Sequence, residues 1–337
     1  PATYEEFFIL LQYISRNNVT PMVWTGANYK DYLNNFVQAL VADYEGLDQM
    51  MLNFTMDGSE ATDLGTINGD GLFVPDGEGT AITEENGYEI MRQAGKYYAI
   101  DFLEELVTTD SYHHDLAINR GFTHLDAQND FLYGGKDNYT KPIAILLDGI
   151  WWESEANQTF LAMEATDSAN SKYNRNFAIM PLPKAPTSEN DKITLFDHIY
   201  SMCFMKANIA EYKRPLAIDF IKFVNTQESL VEFTQITDTP KALNYTMKDT
   251  QKQSMSPFGR SLINMRERAE VVYPIATNST YVNHQAQFSN EYMYYSATGA
   301  GTYGWIAEAL IDASPNVTAA DYFAGLYEYR KDNWLSW

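Results

Sequence analysis

The stretch KPIAILLDGIWWE at residues 141–153 decides how this chain folds. Its apolar part, before Asp148, has the length and composition of a buried strand in a parallel sheet. The Asp148-Gly149 pair that follows is typical of a turn. Because open α/β sheets bind ligands at the carboxyl ends of their strands, we expect the side chains after this turn to lie at a binding edge.

Two tryptophans and an acid, Trp151, Trp152 and Glu153, follow the turn. A large flat aromatic ring is a surface on which the apolar face of a sugar ring stacks. The alternative is that both indoles belong to the core, since large aromatic side chains are mostly buried. Neighbouring side chains on a turn point in different directions, which favours one exposed ring over two buried ones. The sequence therefore favours at least one exposed indole at this edge and does not by itself decide between Trp151 and Trp152.

Composition restricts the class of protein. The chain has 337 residues, is 45% hydrophobic and carries a formal net charge of -22. This is enough apolar material for two packed domains. The strong negative charge argues against nucleic acid or an anionic membrane as a partner. The single cysteine, Cys203, excludes an intrachain disulfide, and the sequence predicts no transmembrane helix.

Strands and helices alternate along the chain, which predicts an α/β architecture. Thr3 and Thr318 are the predicted N-caps of the first and the last helix. Residues 20–24 are predicted to form a short strand. Two extended, proline-containing segments near Pro181 and Pro240 are predicted to cross between two lobes.

Residues 53–80 are rich in Gly, Asp, Thr and Asn and have little periodicity. This pattern is typical of a long surface insertion. Its acidic residues leave a calcium site open as an alternative. The spacing from Asp63 to Asp70 does not match an EF-hand loop, so a metal is not the favoured interpretation.

The sequence lacks the motifs of several enzyme classes. It has no Gly-x-Ser-x-Gly elbow, no phosphate-binding glycine loop and no dinucleotide fingerprint. His198 follows Asp197, but neighbours in a strand point to opposite faces. A pair of glycosidase carboxylates stays open by count alone, although no local pattern supports one. We predict a protein that is not an enzyme, without catalytic residues, cofactor or metal.

In their order along the chain, these segments resemble the extracellular solute-binding proteins of ABC importers. The resemblance is to the carbohydrate-binding group that includes maltose-binding protein. It is carried by PATYEEF at 1–7, TPMVW at 20–24, HLDAQNDFLYGGK at 124–136, and by the segments 144–152, 177–183, 210–228 and 239–242.

The resemblance implies a periplasmic-binding-protein-like fold, in which crossing strands join two lobes. In that family the helix that resembles residues 1–7 belongs to the second lobe. The N-terminal part of the first lobe is therefore expected to be absent. The implied organisation is a ligand-binding lobe at 1–180 with the insertion at 53–80, a partial second lobe at 181–240, and helical segments at 241–337 that return to the first lobe.

The resemblance also implies a function. Such a protein captures a carbohydrate, expected to be an oligosaccharide, in the cleft between its lobes and delivers it to the membrane subunits of an ABC importer. It is expected to be a monomer, either in the periplasm or at the cell surface with a lipid anchor. The expected ligand-binding residues are Trp24, Tyr29, Asp148, Trp151, Trp152, Glu153, His198, Tyr200 and Trp305.

Three alternatives stay open from the residues. The same fold could bind a peptide or another polar solute, the chain could act on glycosides, or it could be a structural surface module. The sequence does not name the sugar.

Overall fold

The computed structural model describes residues 1–136, 140–197, 205–274, 279–283, 295–297, 301–303, 306–312 and 317–334. The chain forms two compact units. Unit 1 comprises Pro1–Asp148, Leu182–Phe196 and Ala269–Trp337, and unit 2 comprises Gly149–Pro181 and Asp197–Arg268. The architecture is mixed α/β, as predicted.

Helices provide most of the regular secondary structure of both units. In chain order they are α1 (Tyr4–Arg16), α2 (Tyr29–Thr55), α3 (Ala94–Thr108), α4 (His124–Tyr133), α5 (Trp152–Glu155), α6 (Asn157–Thr166), α7 (Arg214–Val224), α8 (Gln227–Thr237), α9 (Asp249–Lys252), α10 (Pro257–Arg266), α11 (Ser279–Asn283), α12 (Ile306–Asp312) and α13 (Ala319–Asp332). Among the described residues, none of these helices has both the length and the apolar character that a membrane span requires.

The strands are short and pair two by two. They are β1 (Thr20–Val23), β2 (Asp57–Ala61), β3 (Gly65–Ile67), β4 (Phe73–Pro75), β5 (Thr80–Thr83), β6 (Ile143–Leu146), β7 (Thr194–Phe196), β8 (Glu270–Val272), β9 (Tyr295–Ala297) and β10 (Gly301–Tyr303). β1 pairs with β6 and β7 with β8 in parallel. The other pairs, β2 with β5, β3 with β4 and β9 with β10, are antiparallel.

The pairing of β1 with β6 confirms that residues 143–146 form a parallel strand, with Thr20 opposite Ile143 and Val23 opposite Leu146. The expectation that this strand is buried was wrong. Ala144 is exposed and its neighbours are only partly buried. In the described part of the chain, β6 pairs with one strand only. No second strand of the sheet therefore lies along its other edge.

The predicted insertion contains regular structure. α2 continues to Thr55, past a kink at Gly46, whose φ is 70°. Glycine adopts this left-handed conformation without a steric penalty. β2 and β5 then form one antiparallel pair, and β3 and β4 form a second pair between them. The segment is therefore a set of strand pairs within unit 1, rather than an irregular loop.

Aromatic side chains hold α1 against α3 in the core of unit 1. Phe102 of α3 lies 4.6–5.8 Å, between ring centroids, from Tyr4, Phe7, Phe8 and Phe36. The cap of α1 forms as predicted, because the Thr3 hydroxyl accepts the backbone N–H of Glu6 at 3.2 Å. This core positions β1, which follows α1 directly in the chain.

Unit 2 has a core of its own. One cluster is aromatic and is centred on Trp152, and a second contains Val231, Met247, Met255 and Ile263. α7 packs differently, since none of its described side chains is buried. Leu216, Phe220 and Phe223, at helical spacing, leave an apolar face exposed.

The two units divide the chain differently from the predicted lobes 1–180, 181–240 and 241–337. The chain passes between units after residues 148, 181, 196 and 268. The predicted crossing at Pro181 coincides with one of these points. The predicted crossing at Pro240 lies inside unit 2, where the Thr239 hydroxyl donates to the carbonyl oxygen of Ile150 at 3.4 Å.

Candidate functional site

The residues that follow β6 belong to two different units. Asp148 is the last residue of unit 1, where its Oδ2 accepts a hydrogen bond from Nε2 of Gln128 on α4 at 3.0 Å. Gly149 and the residues after it belong to unit 2. Asp148 is therefore attached to the α4 side of unit 1, next to the carboxyl end of β6.

Trp151 is the exposed aromatic of this segment, with 42% of its surface accessible. It is the N-cap residue of α5, and its carbonyl oxygen accepts the N–H of Ser154 at 2.9 Å. Its indole folds back over the preceding turn. A Cβ atom placed on Gly149 would lie 2.3 Å from Cζ2 of Trp151, far inside van der Waals contact. Glycine at 149 therefore lets the ring lie against the backbone and leaves the rest of the indole accessible.

Trp152 belongs to the core instead. It is 4% exposed, and its ring centroid lies 5.3 Å from that of Phe177, 5.6 Å from Phe258 and 5.8 Å from Phe160. The contacts with Phe177 and Phe258 are edge-to-face, and contacts of this kind stabilise a core beyond the area that they bury. In the structure, Trp152 is therefore a core residue.

Glu153 is also buried, with 1% of its surface exposed. Its Oε2 accepts a hydrogen bond from the Ser256 hydroxyl at 2.5 Å, and its Oε1 has no hydrogen-bond partner among the described residues. Burial, and next the nearby charge of Asp238, raises the pKa of Glu153 from its ordinary value of 4.5 to about 7. The Ser256 hydrogen bond and the Lys172 charge act in the opposite direction.

Asp238, which is buried, and Lys172, which is partly buried, complete a group of polar residues around Glu153. Lys172 Nζ lies 2.7 Å from Asp238 Oδ2, and the backbone N–H of Ser256 donates to Asp238 Oδ1 at 2.8 Å. Burial acts to lower the pKa of Lys172, but the hydrogen bond and charge of Asp238 outweigh it and raise this pKa. We call Glu153, Lys172, Asp238 and Ser256 the anchor cluster.

Trp24 lies in the core of unit 1, with no exposed surface. Its ring centroid is 5.2 Å from that of His113. The indole Nε1 has no hydrogen-bond partner within the described residues. Trp24 thus offers no accessible face for a ligand, because α1, α2 and the chain after α3 contribute to the cluster that covers it.

Four predicted site residues fall outside the described part of the structure. They are His198, Tyr200, Trp305 and the side chain of Tyr29. Of the predicted residues that are described, the structure leaves Trp151 exposed, keeps Asp148 partly exposed and buries Trp24, Trp152 and Glu153.

Sequence reasoning missed Gly149 as the support of the indole, and it missed Lys172, Asp238 and Ser256. One signal was present, because a serine directly before Pro257 is typical of a helix start. The Ser256 hydroxyl does accept the N–H of Gly259 at 3.0 Å as the N-cap of α10. For the described residues, no three His, Cys, Asp or Glu side chains are placed together to hold a metal ion.

Comparison with known proteins gives likeness at the level of structure. No family model and no curated protein matches the sequence. A solved chitin oligosaccharide binding protein matches with a TM-score of 0.55 at 13% identity, over 99% of this chain and 65% of that one. The SBP RafE in complex with raffinose gives a TM-score of 0.52 at 12% identity, over 97% and 66%. Maltose-bound MalE3 of T. maritima gives 0.50 at 12% identity, over 98% and 65%.

The chain therefore spans about two thirds of the length of these solved structures, while nearly all of it is matched by them. At this identity the likeness concerns the fold, and the same fold appears in all three matches. Over the part that it covers, the chain has the fold of these solved binding proteins.

Proposed function

We propose that this chain is the carbohydrate-binding part of a solute-binding protein, with Trp151 as a ligand contact. The observation that carries the proposal is a half-exposed indole in the segment that leaves the carboxyl end of a parallel strand. Aromatic rings in such positions provide stacking surface for a sugar. The three matched structures support the carbohydrate class, since their names specify chitin oligosaccharide, maltose and raffinose as ligands.

The wider role belongs to the same proposal. The protein hands its sugar to the membrane subunits of an ABC importer and does not change it chemically. It works as a monomer outside the cytoplasmic membrane, in the periplasm or at the cell surface with a lipid anchor. Asp148 is a second proposed contact, because its partly exposed carboxylate lies at the end of β6 and could accept a sugar hydroxyl.

The proposal predicts binding of an oligosaccharide that depends on Trp151. Replacing Trp151 with Ala removes the stacking surface, and we expect affinity to fall by about 1–3 kcal/mol, or about 5- to 150-fold. Trp151→Phe keeps an aromatic face and should lose less. Calorimetry and thermal shift with a panel of oligosaccharides, on the full-length protein, measure both effects.

Tyr212→Ala is the matched control, because Tyr212 is an exposed aromatic of unit 2 outside the 149–155 segment. It should bind as wild type does. If no oligosaccharide gives a response, the carbohydrate assignment is wrong, and a peptide panel tests the alternative solute. Cleavage products in the same mixtures would instead identify a glycoside-active enzyme.

A further inference from the structure

Trp151 is held by residues far away in the sequence. The Ser154 hydroxyl donates to the carbonyl oxygen of Thr237 at 2.9 Å, and the Thr239 hydroxyl donates to that of Ile150 at 3.4 Å. These hydrogen bonds attach the chain on both sides of Trp151 to the end of α8. All of the residues belong to unit 2.

The short helix that begins directly after Trp151 needs such attachments. α5 has four residues, Trp152–Glu155. A helix of this length does not form by itself in water, because nucleation costs more than one turn of hydrogen bonds returns. The position of the indole is therefore set by what α5 contacts.

Asp238 fixes the conformation of the turn at the end of α8 that contacts the chain around Trp151. It lies between Thr237 and Thr239 and adopts a left-handed conformation, with φ 56° and ψ 16°. This conformation is unfavourable for residues other than glycine, although Asp and Asn tolerate it best. Its two carboxylate oxygens are occupied by Lys172 Nζ and by the N–H of Ser256. These contacts hold the turn in a conformation that the backbone alone would not favour.

The N-terminus of α10 completes the connection. Ser256 contacts Asp238 through its N–H and Glu153 through its hydroxyl. α10 also approaches Asp238 closely, since a Cβ atom on Gly259 would lie 2.9 Å from Cβ of Asp238. Glu153 is two residues from Trp151, so the anchor cluster links α5 to α8 and α10 through buried hydrogen bonds.

We propose that the anchor cluster of Glu153, Lys172, Asp238 and Ser256 positions the Trp151 indole for its ligand. Its members are positioning residues, because they act through Trp151. The side chains of Glu153, Asp238 and Ser256 are buried, and Lys172, whose side chain is 12% exposed, is paired with Asp238. The inference rests on the proposed function, since it assigns the cluster a role in the affinity of that same site. Supporting groups of this kind hold a binding side chain within a fraction of an ångström of its productive geometry.

The test labels the protein with 5-fluorotryptophan and follows the ¹⁹F resonance of Trp151, which Trp151→Phe identifies by its disappearance. Ser256→Ala removes the hydroxyl that holds Glu153. We expect it to shift the Trp151 resonance and to weaken oligosaccharide binding by about 2- to 12-fold, the range that aromatic contact geometry contributes. Ser256→Thr keeps the hydroxyl and should restore both. If Ser256→Ala does not fold, Asp238→Asn serves instead, because it removes the charged partner of Lys172 and should act in the same direction.

Thr226→Ala is the matched control. It removes the N-cap hydroxyl of α8, which accepts the N–H of Ser229 at 3.2 Å, without touching the cluster. It should lower the melting temperature as Ser256→Ala does and leave the Trp151 resonance and the affinity unchanged. An unmoved resonance in Ser256→Ala, or an equal shift in Thr226→Ala, overturns the inference.

The two proposals fail in different ways. If Trp151→Ala weakens binding while Ser256→Ala leaves it intact, the positioning role alone is wrong. If no oligosaccharide binds, the proposed function is wrong and the cluster has no role in sugar affinity. The ¹⁹F shift then still shows whether the cluster fixes the indole.

Discussion

Three consecutive side chains, Trp151, Trp152 and Glu153, end in three different environments. The first is exposed and the second is packed among phenylalanines. The third is a buried acid, one oxygen of which has no hydrogen-bond partner among the described residues. Of the three, the buried acid has the largest expected effect on how stability depends on pH. Burying a carboxyl group disfavours its charged form, so the folded protein holds the Glu153 proton more tightly than the unfolded chain does.

This difference predicts a pH dependence of stability. The pKa of Glu153 is raised to about 7 in the folded protein, against about 4.5 when it is unfolded. The folded state therefore binds the extra proton between these two values, and the free energy of unfolding falls as the pH rises through them. The loss is at most about 3 kcal/mol and is complete above the folded pKa.

Glu153→Gln should not show this loss, because the amide resembles the neutral acid and does not titrate. Denaturant titrations at several values between pH 5 and pH 8 measure the difference, and the variant should gain on wild type as the pH rises. Glu232→Gln, at an exposed position of α8, should follow wild type. A constant difference between Glu153→Gln and wild type over this range would contradict the prediction.

At the scale of the element, α7 and α10 show two uses of an amphipathic helix. α10 buries Phe258, Leu262 and Ile263 in the core of unit 2. α7 has a similarly strong pattern but exposes Leu216, Phe220 and Phe223 at 73%, 59% and 63%. Contiguous apolar surface of this kind is uncommon on soluble monomers.

The exposed face predicts a substitution that costs little stability. Phe220→Gln should leave the free energy of unfolding within about 0.5 kcal/mol of wild type, because surface changes have small effects. It should also reduce the binding of a hydrophobic dye. Phe258→Gln is the contrast, and should cost about 3 kcal/mol or more, since it removes a ring that packs on Trp152. Equal losses for the two variants would mean that the α7 face is covered in the protein.

At the scale of the whole molecule, charge is the dominant property. The chain carries 45 acidic residues against 23 lysines and arginines. Mutual repulsion among like charges destabilises a compact state and is screened by salt. The described ion pairs, such as Lys184 with Asp43 in unit 1 at 2.8 Å and Lys172 with Asp238 in unit 2 at 2.7 Å, act locally within each unit.

The net charge predicts a stabilising effect of salt. Raising the ionic strength from about 0.01 to about 0.15 M shortens the screening length to about 8 Å, and the melting temperature should rise by a few degrees. Calorimetric scans at constant pH measure this change. The double variant Glu228→Gln, Glu232→Gln carries less negative charge and should respond less. A melting temperature that falls with added salt would show that attractive ion pairs dominate instead.

The sequence predicted those features that depend on neighbouring residues. Thr318 caps the last helix by accepting the N–H of Asp321 at 3.2 Å, as its position before an amphipathic run indicated. The strand at residues 143–146 and its parallel pairing followed from a short apolar run and the turn after it. Local hydrogen bonds and hydrophobic periodicity depend on residues that are close in the sequence. The sequence alone is therefore sufficient to predict them.

The sequence was insufficient where burial decides the role of a residue. Trp24, Trp152 and Glu153 had the residue types of a sugar site and lie in the two cores. Their partners are far away in the chain, as Phe258 is for Trp152 and Ser256 is for Glu153. Only the tertiary structure decides which face of a turn such distant elements cover. It left Trp151 accessible because glycine at 149 lets the indole lie on the backbone, while the core packing of Trp152 turns the neighbouring side chain inward.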